Sequence, residues 1–160
     1  MKRIALALVI ATLTAGTAIA GPPWITIEVR PMGGSFVVAH TYHHGTPMAL
    51  PLTGTAEGLV DGQRRSVALR FDTTSESNAF AVARSWGESG VWVLNIGTDA
   101  GDHGTAGVVV GVDRTGQPAF VRFPRSHNGF SRMATAGEIN SMLRTLDAGQ
   151  QVLTLGALAR

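Results

Sequence analysis

The segment TGTAEGLVDGQRRSVALRF, residues 53–71, decides the fold. Its centre is Asp61-Gly62, a dipeptide suited to the two-residue type I′ turn, which requires positive φ at both central positions. The arms TGTAEGLV and SVALRF are short and apolar enough to pair across that turn, so the segment reads as a β-hairpin.

The same rhythm continues outward in both directions. Upstream, ITIEV (25–29) alternates Ile25, Ile27 and Val29 with Thr26 and Glu28, the pattern of a strand with one buried face. SFVVAHTY (35–42) places Phe36 and Val38 on one face and Val37 and Ala39 on the other. Downstream, NAFAVARSW and VWVLNIG are separated by GESG, and Trp92, Leu94 and Ile96 share a face. GVVVGV and AFVRF are joined through DRTGQP, a turn by composition. The spacing predicts an all-β protein: an immunoglobulin-like antiparallel β-sandwich of about eight strands over residues 21–125. The Cys…Trp…Cys signature of antibody domains is missing, so the expectation concerns architecture alone.

Beyond Arg125 the period changes. SHNGFSRMA (126–134) reads as a linker. Thr135 and Glu138 then stand at capping-box spacing, and Ile139, Met142, Leu143 and Leu146 follow at i, i+3, i+4, i+7. One C-terminal α-helix is predicted, with residues 135–160 forming an amphipathic helix and tail and Gly149 suited to the helix end. The helix is expected to dock on an edge or open end of the sandwich.

The N-terminal twenty residues read as a cleaved signal peptide. Lys2-Arg3 is a cationic head, IALALVIATLTAG is an uncharged apolar run, and Ala18-Ile19-Ala20 precedes the cleavage point. The run falls short of the roughly 20 apolar residues of a membrane span. The chain contains no cysteine, which closes the lipoprotein route and removes cysteine-based zinc sites, iron–sulfur clusters and thiol nucleophiles. The expected location is periplasmic or secreted, with no stable membrane anchor after cleavage. Without Lys2 and Arg3, the remaining 11 basic residues are all arginine and face 11 acidic ones. The high isoelectric point therefore reflects arginine's resistance to titration, and no basic stripe of a nucleic-acid binder appears.

The stretch NAFAVARSWGESGVWVLNIGTD (78–99) resembles the YtkA-like or FixH-like exported bacterial domains, which are related in fold to CopC-type copper-binding sandwiches. The likeness extends over residues 45–98 and includes the G-x-W-x-L-x-I segment and the strand pair before it. The resemblance implies a sandwich fold and, for some members, an association with copper handling. Copper-binding members use a histidine at or near the mature N-terminus, whereas Gly21-Pro22-Pro23-Trp24 stands here. Pro22 also removes the amide that an N-terminal Cu(II) chelate would use. The resemblance thus implies a fold and no binding residue.

HTYHHGTPM (40–48) gathers three of the chain's five histidines. In an extended strand His40 and His44 would lie about 13 Å apart, too far to share one ion. A bend at His43-His44-Gly45 would bring two imidazoles together. If consecutive strands reverse direction, the loops HHGTPM, TTSESN and TDAGDHG lie at one pole. That pole would crowd His43, His44, Glu76, Asp99, Asp102, His103 and Met48. The candidate metal ligands are His43, His44, His103, Asp102 and Met48, donors that suit copper or zinc. The competing expectation is a strand running into a turn.

No H-E-x-x-H, G-x-S-x-G, P-loop or dinucleotide fingerprint occurs. Ser75, His103 and Asp99 supply the residue types of a hydrolytic triad, but their spacing gives it no support, and such residues occur in any chain this long. The sequence predicts a non-catalytic binding or structural module without a required cofactor, with another exported or envelope protein as its partner. Trp24 and Tyr42 are the candidate aromatic contacts. The alternative is a periplasmic metal-binding, copper-handling protein.

Overall fold

In the computed structural model Asp61 and Gly62 both adopt positive φ, 50° and 74°, and Val60 pairs with Gln63 across them. The hairpin therefore forms where the Asp-Gly pair demands it, joining β4 (Leu52–Val60) to β5 (Gln63–Ala68). The structure describes residues 21–29, 35–101 and 104–149. The predicted signal peptide and the C-terminal tail lie outside these residues.

Eight further strands complete two antiparallel sheets: β1 (Trp24–Val29), β2 (Ser35–His43), β3 (Thr46–Pro47), β6 (Phe71–Thr73), β7 (Ala79–Ala83), β8 (Val91–Asp99), β9 (Thr105–Val112) and β10 (Pro118–Arg122). One sheet has the order β1-β2-β7-β6, with β3 added to the end of β2; the other is β10-β9-β8-β4-β5. This order matches the ABED and GFCC′ sheets of an immunoglobulin sandwich, with β10 added beyond the G position. Ten strands replace about eight for two reasons. β3 is a two-residue return after the histidine turn. The stretch read as SVALRF also divides, because the chain changes sheets at Leu69-Arg70. Leu69 is buried at that crossing and its amide donates to the Gly54 carbonyl at 3.0 Å.

Between the sheets lie Ile25, Val37, Ala39 and Val82 from one side and Ala56, Trp92, Leu94, Ile96, Val108 and Val110 from the other. Trp92 lays its ring over Gly58, where a Cβ would come within 2.5 Å. β8 is buried on both faces, from Val91 to Thr98. The second face is covered by α1 (Ala136–Asp147), whose Ile139, Met142, Leu143 and Leu146 cluster with Val91, Val93, Val109 and Phe120. The helix thus docks on the outer face of the β8 sheet, not on an edge or open end. The physical reason is that β8 and β9 are apolar on both faces, and a sheet face of that kind needs a cover. Among the described residues no helix is long and apolar enough to cross a membrane.

Of residues 126–134, expected as a linker, residues 131–134 are bound to the same face as a strap. Asn95 pairs with the Ala134 backbone in both senses, Nδ2 donating to the carbonyl at 3.1 Å and Oδ1 accepting from the amide at 3.0 Å. Ser131 Oγ donates to the Gly107 carbonyl at 2.9 Å. A Cβ on Gly107 would lie 2.2 Å from the Arg132 carbonyl oxygen, so only glycine admits the strap there.

The helix begins as predicted, with Thr135 and Glu138 forming a capping box. Both Glu138 oxygens also accept from Arg132 at 2.8 Å. Those bonds from Arg132, together with the Thr135 amide, hold the Glu138 carboxyl at about 2, below its ordinary 4.5. A depressed carboxyl pKa stabilises the folded state above its unfolded value, and that contribution is lost as pH falls through the folded value. Glu138→Gln should therefore flatten the loss of stability between about pH 5 and pH 2. Because Glu138 is 42% exposed, screening should limit the effect at neutral pH to about 1 kcal/mol. Urea titrations at several pH values measure both quantities.

Candidate contact surface at the histidine pole

The stretch at residues 40–48 resolves into a strand and a turn. Val37, Ala39, Thr41 and His43 alternate on the inward face of β2, and all four are buried. His44 and Gly45 then take positive φ, 51° and 78°, while His43 pairs with Thr46. This is the same two-residue reversal that Asp61-Gly62 makes, with histidine in the left-handed position. The bend brings the two imidazoles together, His43 and His44 lying edge to face with ring centroids 3.8 Å apart.

Other elements meet at this end. Gly21 lies against the His44 backbone, since a Cβ there would come 3.9 Å from its Cα. Gly104, in the loop after β8, approaches Pro23 in the same way. Asp99 accepts from the Gly101 amide at 2.9 Å and so caps its own turn. Met48 follows β3 and is 43% exposed. Asp102 and His103 lie outside the described residues. Among the described residues no three His, Asp or Glu side chains gather as a group able to hold a metal ion.

Two arrangements at the pole escape a reading by spacing. Thr41, fully buried, ties three segments together. Its hydroxyl lies 2.5 Å from the Met48 carbonyl and accepts from the Leu50 amide at 3.2 Å, and its backbone exchanges bonds with Asn78 at 2.9 and 3.1 Å. His40 stands between two carboxylates, Nε2 3.4 Å from Glu28 and Nδ1 3.6 Å from Glu76. Each carboxylate approaches a different ring nitrogen, so the trio straps the 74–78 loop to β1 and β2 and does not converge on one point. The register sets Thr26 opposite His40, with Glu28 two residues along on the same face of β1, a placement that spacing alone does not give.

The outer surface of the pole is aromatic. Trp24 and Tyr42 are cross-strand partners, and their rings stack at 5.2 Å with 13° between planes. Trp24 nonetheless remains 37% exposed, and Gly45 approaches its ring edge without a side chain of its own. Pro47 pairs with Tyr42 on the other side. The result is an indole held in a fixed orientation on an edge strand, beside a rigid turn. Compared with known proteins, the chain matches no family model, no curated protein and no solved structure.

Proposed function

We propose that this chain is an exported, non-catalytic binding module that meets another exported or envelope protein through the pole bearing Trp24, Tyr42 and Met48. The observation that carries the reading is the exposed Trp24 indole stacked on Tyr42. Aromatic side chains supply large contact area with few rotatable bonds, and stacking fixes those bonds before a partner arrives. Such residues dominate binding energy in protein interfaces. The resemblance of residues 45–98 to YtkA-like domains supports the reading through fold alone.

A second reading, copper or zinc binding in the periplasm, is favoured by the contact between His43 and His44. It would recruit Met48, Asp102 and His103. One pair of measurements separates the two. A photo-crosslinking residue at Met48 should trap a discrete partner in cells exporting the chain, and Trp24→Ala should abolish the adduct. The same residue placed at Arg64, on β5, should trap none. Equal crosslinking from both positions, or none from Met48, would overturn the contact surface. Metal binding predicts instead a rise of roughly 5–10 °C in thermal midpoint with saturating Cu²⁺ or Zn²⁺. The rise should be lost in a His43→Ala/His44→Ala/His103→Ala variant.

A further inference from the structure

Between Asp113 and Glu138 the chain has no carboxylate and four arginines. Two of these are ion-paired, Arg114 to Asp147 and Arg132 to Glu138. The other two make no ion pair among the described residues. Arg122 lies over the Phe120 ring at 4.8 Å, and Arg125 Nη1 donates to the Gly129 carbonyl at 2.9 Å. Both side chains belong to exposed residues.

Beside Arg122 a groove of about 240 Å³ opens between the end of β10 and α1. It is lined by Arg122, Phe123, Pro124, Glu138, Ser141 and Met142. Phe123 and Met142 make its apolar part, while Glu138 adds no unbalanced charge because Arg132 grips both its oxygens. The hairpin that follows holds Phe130 at 52% exposure, the highest of the large apolar side chains among the described residues. That hairpin is ordered by its own bonds: Ser126 amide to Phe130 carbonyl at 2.8 Å, Gly129 amide to Ser126 carbonyl at 2.9 Å, and Arg132 amide to Pro124 carbonyl at 3.0 Å. An exposed phenyl held this firmly is a preformed contact.

We propose that the groove and the Phe130 hairpin form a docking site for an acidic, apolar peptide segment of a second protein. An apolar side chain of that segment would lie against Phe123 and Met142, and its carboxylates would pair with Arg122 and Arg125. The volume suits a side chain, being smaller than the roughly 300–1,000 Å³ of small-molecule sites. Guanidinium groups match carboxylates in a planar, two-bond geometry, which fixes the sign of the partner. A membrane surface would reach Phe130 but would leave the concave part beneath Phe123 unused. This site lies on the outer side of the β8 sheet, opposite the sheet that carries Trp24, and its case is independent of the pole.

The test is selection of random 12-residue peptides displayed on phage against the purified exported chain, followed by titration of the enriched peptides. Wild-type protein should enrich peptides with at least two carboxylates beside an apolar residue. Arg122→Glu/Arg125→Glu should weaken them at least tenfold with an unchanged thermal midpoint. Phe130→Ala should weaken them to a similar extent, and affinity should fall as salt is raised from 50 to 300 mM. Enrichment of peptides without carboxylates, no enrichment, or equal binding by the arginine variant would overturn the proposal. Association with phosphatidylglycerol vesicles in the absence of peptide enrichment would also overturn it, assigning the surface to lipid.

Discussion

Asn95→Ala is expected to lower the stability of the protein by about 3 kcal/mol, read as a fall in the urea midpoint without a change in slope. Asn95 is buried, and its amide group serves as a piece of strand, satisfying both the amide and the carbonyl of Ala134. Alanine leaves those two backbone groups buried with no replacement partner. Each orphaned group costs about 1–3 kcal/mol, because the lost bond is not returned by water. Asn140, on the exposed side of α1, is the control. Its alanine variant should stay within about 0.5 kcal/mol of wild type. A small effect at Asn95 would mean that the strap is held by its apolar neighbours alone.

Leu143→Ala should cost about 3–4 kcal/mol, within the range for emptying a packed leucine site. Leu143 is 2% exposed and lies in the cluster that joins α1 to Val91, Val93 and Val109. An effect of this size requires helix and sandwich to unfold together. Tryptophan fluorescence and far-ultraviolet circular dichroism should therefore report one midpoint. An appended helix would lose helical signal first and leave the tryptophan transition in place. Asn95→Ala and Leu143→Ala loosen the same layer, so their combined cost should fall short of the sum.

The sandwich was legible because its turns and alternation are local. Asp61-Gly62 declares its turn within two residues, and Trp92, Leu94 and Ile96 declare a buried face by period two. Thr135 and Glu138 gave the helix start in the same way. The third layer was harder to read. It rests on Val91 and Val93, which sit on the other face of the same strand, and on the valines of GVVVGV. A run apolar on both faces carries the signal that a cover exists, but not which segment supplies it. The split of SVALRF was hidden because a strand that changes sheets keeps its apolar pattern.

At the pole, sequence spacing placed His43 and His44 beside each other only if the chain bent, and His44-Gly45 supplies that bend. Spacing said nothing of Thr41 and Asn78, which meet from 37 residues apart. The Glu28–His40–Glu76 arrangement was equally invisible, since it depends on the register of β1 on β2 and on a loop fold.

The strap and helix are also the last described part of the domain to be made. A chain emerging N-terminus first presents both sheets before residues 131–146 exist. Until then Val91, Val93, Val109 and Phe120 form an uncovered apolar surface, of the kind that draws nascent chains into aggregates. A premature stop near residue 130 should thus yield a product that has all ten strands and still precipitates. Arrival of residues 131–146, and not formation of the sheets, is the step at which the outer face of the β8 sheet is covered.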